Sequence, residues 1–156
     1  STNNFRRGNV RNGSVHQISI NSAGANGTHD VNIVLPRPSS SKSDKGFNFK
    51  IIIKIDSVTG TTTRNFFIRC ATVVNGGAKL EPQTTNNFPA IVGGRIVGTI
   101  ENNQKTEAYF STTLNEAIQL NGADKVGNGD QFDFYCDGDV WYVSGFTNAS
   151  DVTFVA

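Results

Sequence analysis

The chain has 156 residues, 37% of them hydrophobic and 17% charged, with a formal net charge of +1. That length supports one domain with a proper core, and the near-neutral balance gives little footing for a protein that coats nucleic acid. No run approaches the ~20 apolar residues of a membrane-spanning helix, and residues 1–13 lack the apolar centre of a signal peptide.

Eleven Phe and no Met argue against a helical core filled by flexible side chains. Phe, Val, Ile and Thr in alternation are strand chemistry, and 16 Gly against 4 Pro fit a turn-rich β protein. Residues 1–13 (STNNFRRGNVRNG) show no periodicity and are expected to form a flexible basic arm, with Phe5 and Val10 as anchors and Arg6, Arg7 and Arg11 as the charges. Residues 14–156 are expected to form a single domain. Within it, 14–20 is a weak strand and 29–35 a better one, with a Gly-rich turn between them. Pro36 and Pro38 open a polar loop and disfavour any continuation of the ladder.

The clearest strand is 47–58. Phe47, Phe49, Ile51, Ile53 and Ile55 share one face, and Asn48, Lys50, Ile52 and Lys54 the other. Residues 61–75 form a second long strand, and Thr59-Gly60 between them predicts that the two pair as an antiparallel hairpin at the centre of a sheet. Residues 90–100 are apolar but interrupted by glycine, which predicts a bulge near Gly93-Gly94. Residues 105–114 read as a strand, 115–120 as either one helical turn or a short strand, and 152–155 as a last strand. Eight to ten strands without helical spacing predict an all-β, antiparallel β-sandwich of jelly-roll or Greek-key type.

Catalytic and cofactor chemistry is sparse. His16 and His29 have no nucleophile-elbow context, and no phosphate-binding glycine loop occurs in a strand-to-helix setting. Asp130, Asp133, Asp137 and Asp139 are acidic enough to suggest Ca²⁺, but their spacing does not match an EF-hand. The reading is therefore of no enzyme, no metal and no cofactor. Cys70 and Cys136 both fall on apolar strand faces, as two buried thiols or as one disulfide between neighbouring strands. Residues 1–45 carry net charge +4 and residues 121–156 net −5. This asymmetry suits contacts between copies, or a basic arm meeting an acidic protein partner, better than nucleic acid.

The most informative stretch is 129–145, GDQFDFYCDGDVWYVSG. Two alternating runs flank Asp137-Gly138, a strong hairpin signal. With that pair as the loop, Phe134 faces Trp141 and Phe132 faces Val143; a loop from Asp137 to Val140 would shift the pairing. In either case Phe132, Phe134, Cys136, Trp141 and Val143 share the core face. Gln131, Asp133, Tyr135, Val140 and Tyr142 take the other, which is left to water or to a partner.

The segment Ala117 to Gly145 resembles a pattern of small β-rich tailed-phage virion proteins: Gly129-Asp130, Phe132 and Phe134, then Asp137-Gly138, Trp141-Tyr142-Val143 and Gly145. It covers less than a quarter of the chain. Cys136 stands before the turn where Ser is usual in that pattern, and Asp139 after it where Thr is usual. The resemblance implies a capsid decoration (cement) protein, trimeric, on the outer capsid surface, with the major capsid protein as partner. Its alternative is a fibre, spike or knob domain that binds a receptor or glycan. The motif carries no functional residues, so the candidate capsid contacts are those of the arm: Phe5, Arg6, Arg7, Val10 and Arg11. A glycan reading would rest on Tyr135 and Tyr142.

Overall fold

The computed structural model describes residues 2–4, 10–22, 27–35, 45–58, 62–70, 73–74, 77–78, 96–102, 107–115, 117–121, 129–149 and 151–155. They are all-β, without a helix, and so contain none long and apolar enough to cross a membrane. The strands are β1 (Thr2–Asn4), β2 (Ser14–Ser22), β3 (Gly27–Leu35), β4 (Asn48–Val58), β5 (Thr62–Cys70), β6 (Val73–Val74) and β7 (Gly77–Ala78). They continue with β8 (Ile96–Asn102), β9 (Glu107–Asn115), β10 (Ala117–Asn121), β11 (Gln131–Cys136), β12 (Trp141–Thr147) and β13 (Asp151–Val155). One sheet runs β1-β3-β5-β10-β13 and another β2-β4-β11-β12-β8-β9; β6 and β7 pair separately.

Most successive strands do not pair with each other. β2 and β3 lie in opposite sheets, as do β4 and β5, β10 and β11, and β12 and β13. Each pair is an arch that crosses from one sheet to the other instead of sharing a ladder. The expected hairpin of 47–58 with 61–75 is therefore not formed. β4 instead pairs parallel to β2 and antiparallel to β11, while β5 pairs parallel to β3 and antiparallel to β10. The arches stack: Ser14 sits opposite Phe49 and Leu35 opposite Cys70, an offset of 35 residues at both ends, with a register shift of one residue after Ile20. The sheets are thus mixed, whereas a jelly roll or Greek key is antiparallel throughout. The sandwich is present, and its sheets are mixed where antiparallel ones were expected.

Alternation explains which faces meet. Phe47, Phe49, Ile51 and Ile53 are buried, as are Phe66 and Ile68 of β5, Ile118 and Leu120 of β10, and Phe132 and Phe134 of β11. They form one cluster between the sheets. Phe49 stacks on Phe134 at 4.9 Å, and Phe66 of the opposite sheet meets Phe132 at 6.2 Å. β3 is buried at every position from Val31 to Leu35, so its alternation is covered on both faces.

The segment expected as a free arm is partly built into this body. Thr2–Asn4 adds parallel to β3. Val10 is 6% exposed and belongs to the core cluster. Gly13 N–H donates to the Asn48 carbonyl and its Oδ1, each at 3.0 Å.

Two glycines set how closely strands approach. A Cβ on Gly98 would collide with the carbonyl of Val143, its partner on β12. A Cβ on Gly145 would lie 2.6 Å from the Gln131 carbonyl oxygen and 2.5 Å from the Phe132 ring. Gly98 also sits beside a bulge. Ile96 pairs with Asn115 but Gly98 with Ser111, and the buried Asn115 amide closes the gap by donating to Ile96 O, Ser111 Oγ and Thr113 O. The bulge expected at Gly93-Gly94 falls outside the described residues. Gly98→Ala must push backbone against backbone, which costs ~1–3 kcal/mol or more. Its urea midpoint is expected to fall with an unchanged slope, and a wild-type midpoint would refute the close-packing account.

Candidate functional site

The hairpin β11–β12 lies at the centre of the six-stranded sheet, and its outward face is the candidate site. Its turn is the longer alternative, Asp137 to Val140, and not the two-residue Asp137-Gly138 loop. Cys136 pairs with Trp141, Tyr135 with Tyr142 and Phe134 with Val143, so Asp137 faces Val140 and Gly138-Asp139 is the tip. Asp137 N–H donates to Val140 O at 3.1 Å. In return the N–H groups of Asp139 and Val140 both donate to Asp137 Oδ1 at 2.8 Å. Only Gly138 need then adopt a left-handed conformation (φ +99°), whereas an Asp137-Gly138 loop demands positive φ of Asp137 too. Trp141 consequently meets Phe47 and Phe49 over β11, on the same face of the same sheet, in place of Phe134 directly opposite. The shift of two positions preserves the faces, so the expected division into buried and outward residues stands.

Register arranges the outward residues in rows across the sheet. One row runs Asn48, Tyr135, Tyr142, Val97. The next runs Val15, Lys50, Asp133, Ser144, Thr99. All of these but Val97 line an open groove of about 650 Å³. Tyr135 and Tyr142 are 44% and 47% exposed, and their ring centroids lie 6.3 Å apart with planes tilted by 47°. Val15 is 59% exposed at the rim. Lys50 pairs with Asp133 at 3.6 Å and also donates to Gln131 Oε1 at 3.3 Å. Exposed ion pairs of this kind add little stability, ~0–1 kcal/mol.

Tyr142 Oη donates to Asp137 Oδ2 at 3.2 Å. The hydrogen bonds from Val140 and Asp139, with a smaller contribution from Tyr142, hold the Asp137 carboxyl below its usual range. The same bond to Asp137, reinforced by the negative charge there, raises the Tyr142 phenol. The lowered carboxyl stabilises the turn above the ordinary carboxylate range, and this is lost as pH falls through the folded value. The raised phenol contributes below the ordinary tyrosine range, and this is lost as pH rises through its folded value. Asp137→Asn is expected to bring the Tyr142 titration back towards that of an ordinary tyrosine in an ultraviolet pH titration. An unmoved titration would mean that the bond does not form in solution.

The four acidic residues considered for Ca²⁺ do not converge. Asp130 is buried, with Thr147 Oγ1 donating to its Oδ2 at 2.8 Å, Asn148 N–H to Oδ2 at 3.1 Å and Asn148 Nδ2 to Oδ1 at 2.7 Å. Asp133 serves Lys50, Asp137 the turn, and Asp139 is exposed. Among the described residues no group of three or more His, Cys, Asp or Glu side chains comes together. Cys136 is a buried thiol in no disulfide, and the Gly138 N–H donates to its Sγ at 3.4 Å. The disulfide alternative with Cys70 is thereby set aside.

Of the candidate capsid contacts, Phe5, Arg6 and Arg7 lie outside the described residues, Val10 is in the core, and Arg11 is exposed. The Arg11 carbonyl accepts from Ser14 N–H at 3.1 Å and from Ser14 Oγ at 2.6 Å. A contact between Ser14 Oγ and His16 Nε2 at 2.8 Å is absent from the sequence reading, although i, i+2 spacing on a strand places both side chains on one face. Ser14 Oγ thus reaches both the Arg11 carbonyl and His16, and the imidazole tautomer sets which atom donates in the second contact. No family model, curated protein or solved structure matches the chain.

Proposed function

We propose that this chain is a structural protein of a tailed-phage virion, a decoration (cement) protein that binds the outer capsid and stabilises the shell as a homotrimer. One observation supports the reading above the rest: each residue quoted for the virion-protein pattern has a mechanical task in the hairpin. Gly129 takes φ +91° and leads into Asp130, which ties the hairpin to the β12–β13 arch. Phe132, Phe134, Trp141 and Val143 fill the core, the Asp137 carboxylate holds the turn with Tyr142 donating to it, Gly138 takes the left-handed position there, and Gly145 admits the Phe132 ring. The pattern is one of rigidity, and rigidity is what a cement protein requires. Such a protein stabilises a shell only because it binds the assembled form, and a stiff body loses little conformational freedom on docking. Repetition over a symmetric lattice then multiplies modest contacts.

In this reading Phe5, Arg6, Arg7 and Arg11 meet an acidic patch of the major capsid protein. The test is co-sedimentation with undecorated shells assembled from the capsid protein of the same genome. Full-length protein is expected to bind in many copies and to raise the temperature at which shells rupture. The triple variant Arg6→Ala/Arg7→Ala/Arg11→Ala is expected to fold normally and dock weakly. Deleting residues 1–12 is less discriminating, because it also removes the buried Val10, worth ~1.5–3 kcal/mol, and is expected to lower Tm by roughly 3–12 °C. Absence from shells would refute the proposal, and a few copies confined to a vertex or tail would point to the fibre or spike alternative.

A further inference from the structure

The groove on the outward face of the six-stranded sheet has a composition that selects one class of ligand. Its volume, about 650 Å³, lies within the range of small-molecule sites. Tyr135 and Tyr142 stand side by side on neighbouring strands and offer two half-exposed ring faces. Tyr142 is tethered through its hydroxyl to Asp137, so part of the ordering that binding would demand is already present. Next to the rings lies a polar row: Lys50 and Asp133, then Ser144 and Thr99. The ion pair cancels its own charge, which leaves the row without the net positive field that a phosphate, nucleic acid or acidic peptide needs. Hydrogen-bonding capacity nevertheless remains, because a carboxylate accepts several bonds and an ammonium donates three. The hydroxyls of Ser144 and Thr99 are exposed.

We infer that this groove binds a neutral oligosaccharide. A pyranose presents apolar C–H faces, which suit the tyrosine rings, and an equatorial rim of hydroxyls, which suits the paired carboxylate, ammonium and hydroxyl groups. A purely apolar partner would leave Lys50 and Asp133 buried with unmet bonds, at a cost, and an anion would meet Asp133. This inference does not rest on capsid docking. A variant that loses sugar binding is expected to decorate shells normally, and the arginine variant to bind sugar normally.

The experiment is a glycan array with neutral probes (maltohexaose, cellohexaose, chitohexaose and mannan fragments) beside heparin and polysialic acid as anionic ones, followed by calorimetric titration of the strongest neutral probe. Tyr135→Ala and Tyr142→Ala are each expected to weaken binding about tenfold or more, and the double variant to abolish it. Tyr142→Phe keeps the ring and loses only the bond to Asp137, so it is expected to stay within a few-fold of wild type. All these side chains are exposed, and thermal melts verify that the variants fold. Binding of anionic probes alone, no binding of any neutral probe at millimolar concentration, or undiminished binding by the double alanine variant would each overturn the inference.

Discussion

Asp130→Ala is expected to lower the stability of the domain by about 3–5 kcal/mol, a fall in Tm of roughly 6–20 °C for a chain of this size. The carboxylate is fully buried and accepts from three donors on the segment that carries the chain from β12 to β13. That segment crosses from the six-stranded to the five-stranded sheet. It is also held by Asn102, whose Nδ2 donates to the Ala149 carbonyl at 2.7 Å, and by Thr147, whose Oγ1 accepts from Ala149 N–H at 3.1 Å. Alanine removes the acceptor that the buried Thr147 hydroxyl and the part-buried Asn148 N–H and amide use. Each such loss costs ~1–3 kcal/mol, reduced where water can enter. Asp130→Asn is expected to cost less, because its amide can face a flipped Asn148 amide while its oxygen still accepts from Thr147 and Asn148 N–H. Urea denaturation of the three proteins decides the matter. Equal midpoints for wild type and Asp130→Ala would remove the arch clamp from the account, and an Asn variant as damaged as the Ala variant would show that charge, not acceptor geometry, matters there.

Asp130 also marks where sequence reading succeeds and where it stops. Its place ahead of an alternating strand was visible, but not its task, because its partners lie 17 and 18 residues further on. The long strands were legible: 47–58, 131–136 and 141–147 announce themselves by period-2 alternation, and the core faces of Phe49, Ile51, Phe132 and Trp141 follow from it, whereas Thr2–Asn4 fell in the expected arm and Ala117–Asn121 was left between a helical turn and a strand. Pairing was not legible. Alternation specifies which side of a strand is dry and is silent about whether the next strand shares its ladder or faces it across the core. Phe49 and Phe66 would be buried in a hairpin as well as in an arch, and the arch is what forms. The turn shows the same limit on a smaller scale. Asp137-Gly138 and Gly138-Asp139 both place Gly138 at a left-handed position, and the choice falls to the Asp137 carboxylate, which gains two backbone donors in the second. The candidate groove was half legible. Tyr135 and Tyr142 are outward by alternation alone, but Lys50, Ser144 and Thr99 join them only through the order of β4, β11, β12 and β8, which no local pattern encodes.

Trp141→Ala is expected to destabilise the domain by about 3–5 kcal/mol, in the range for removing a large buried aromatic, and Trp141→Phe by less than half of that. Trp141 is 1% exposed. Its indole meets the edges of Phe47 at 5.6 Å and Phe49 at 5.9 Å, and Phe49 in turn stacks on Phe134. Alanine therefore opens a cavity at the junction of β4, β11 and β12, where three strands contribute rings to one cluster and collapse is hindered by the ladders on both sides. Phenylalanine retains one ring of the pair of edge contacts and most of the filled volume. As the only Trp in the chain, residue 141 is also its own reporter. Because the same core joins the two sheets through Phe66 and Phe132, unfolding followed by Trp141 fluorescence is expected to coincide with unfolding followed by far-ultraviolet circular dichroism, as a two-state transition requires. A fluorescence transition that precedes the loss of strand signal would mean that the six-stranded sheet opens by itself, and that the arches do not couple the two layers as the shared core demands.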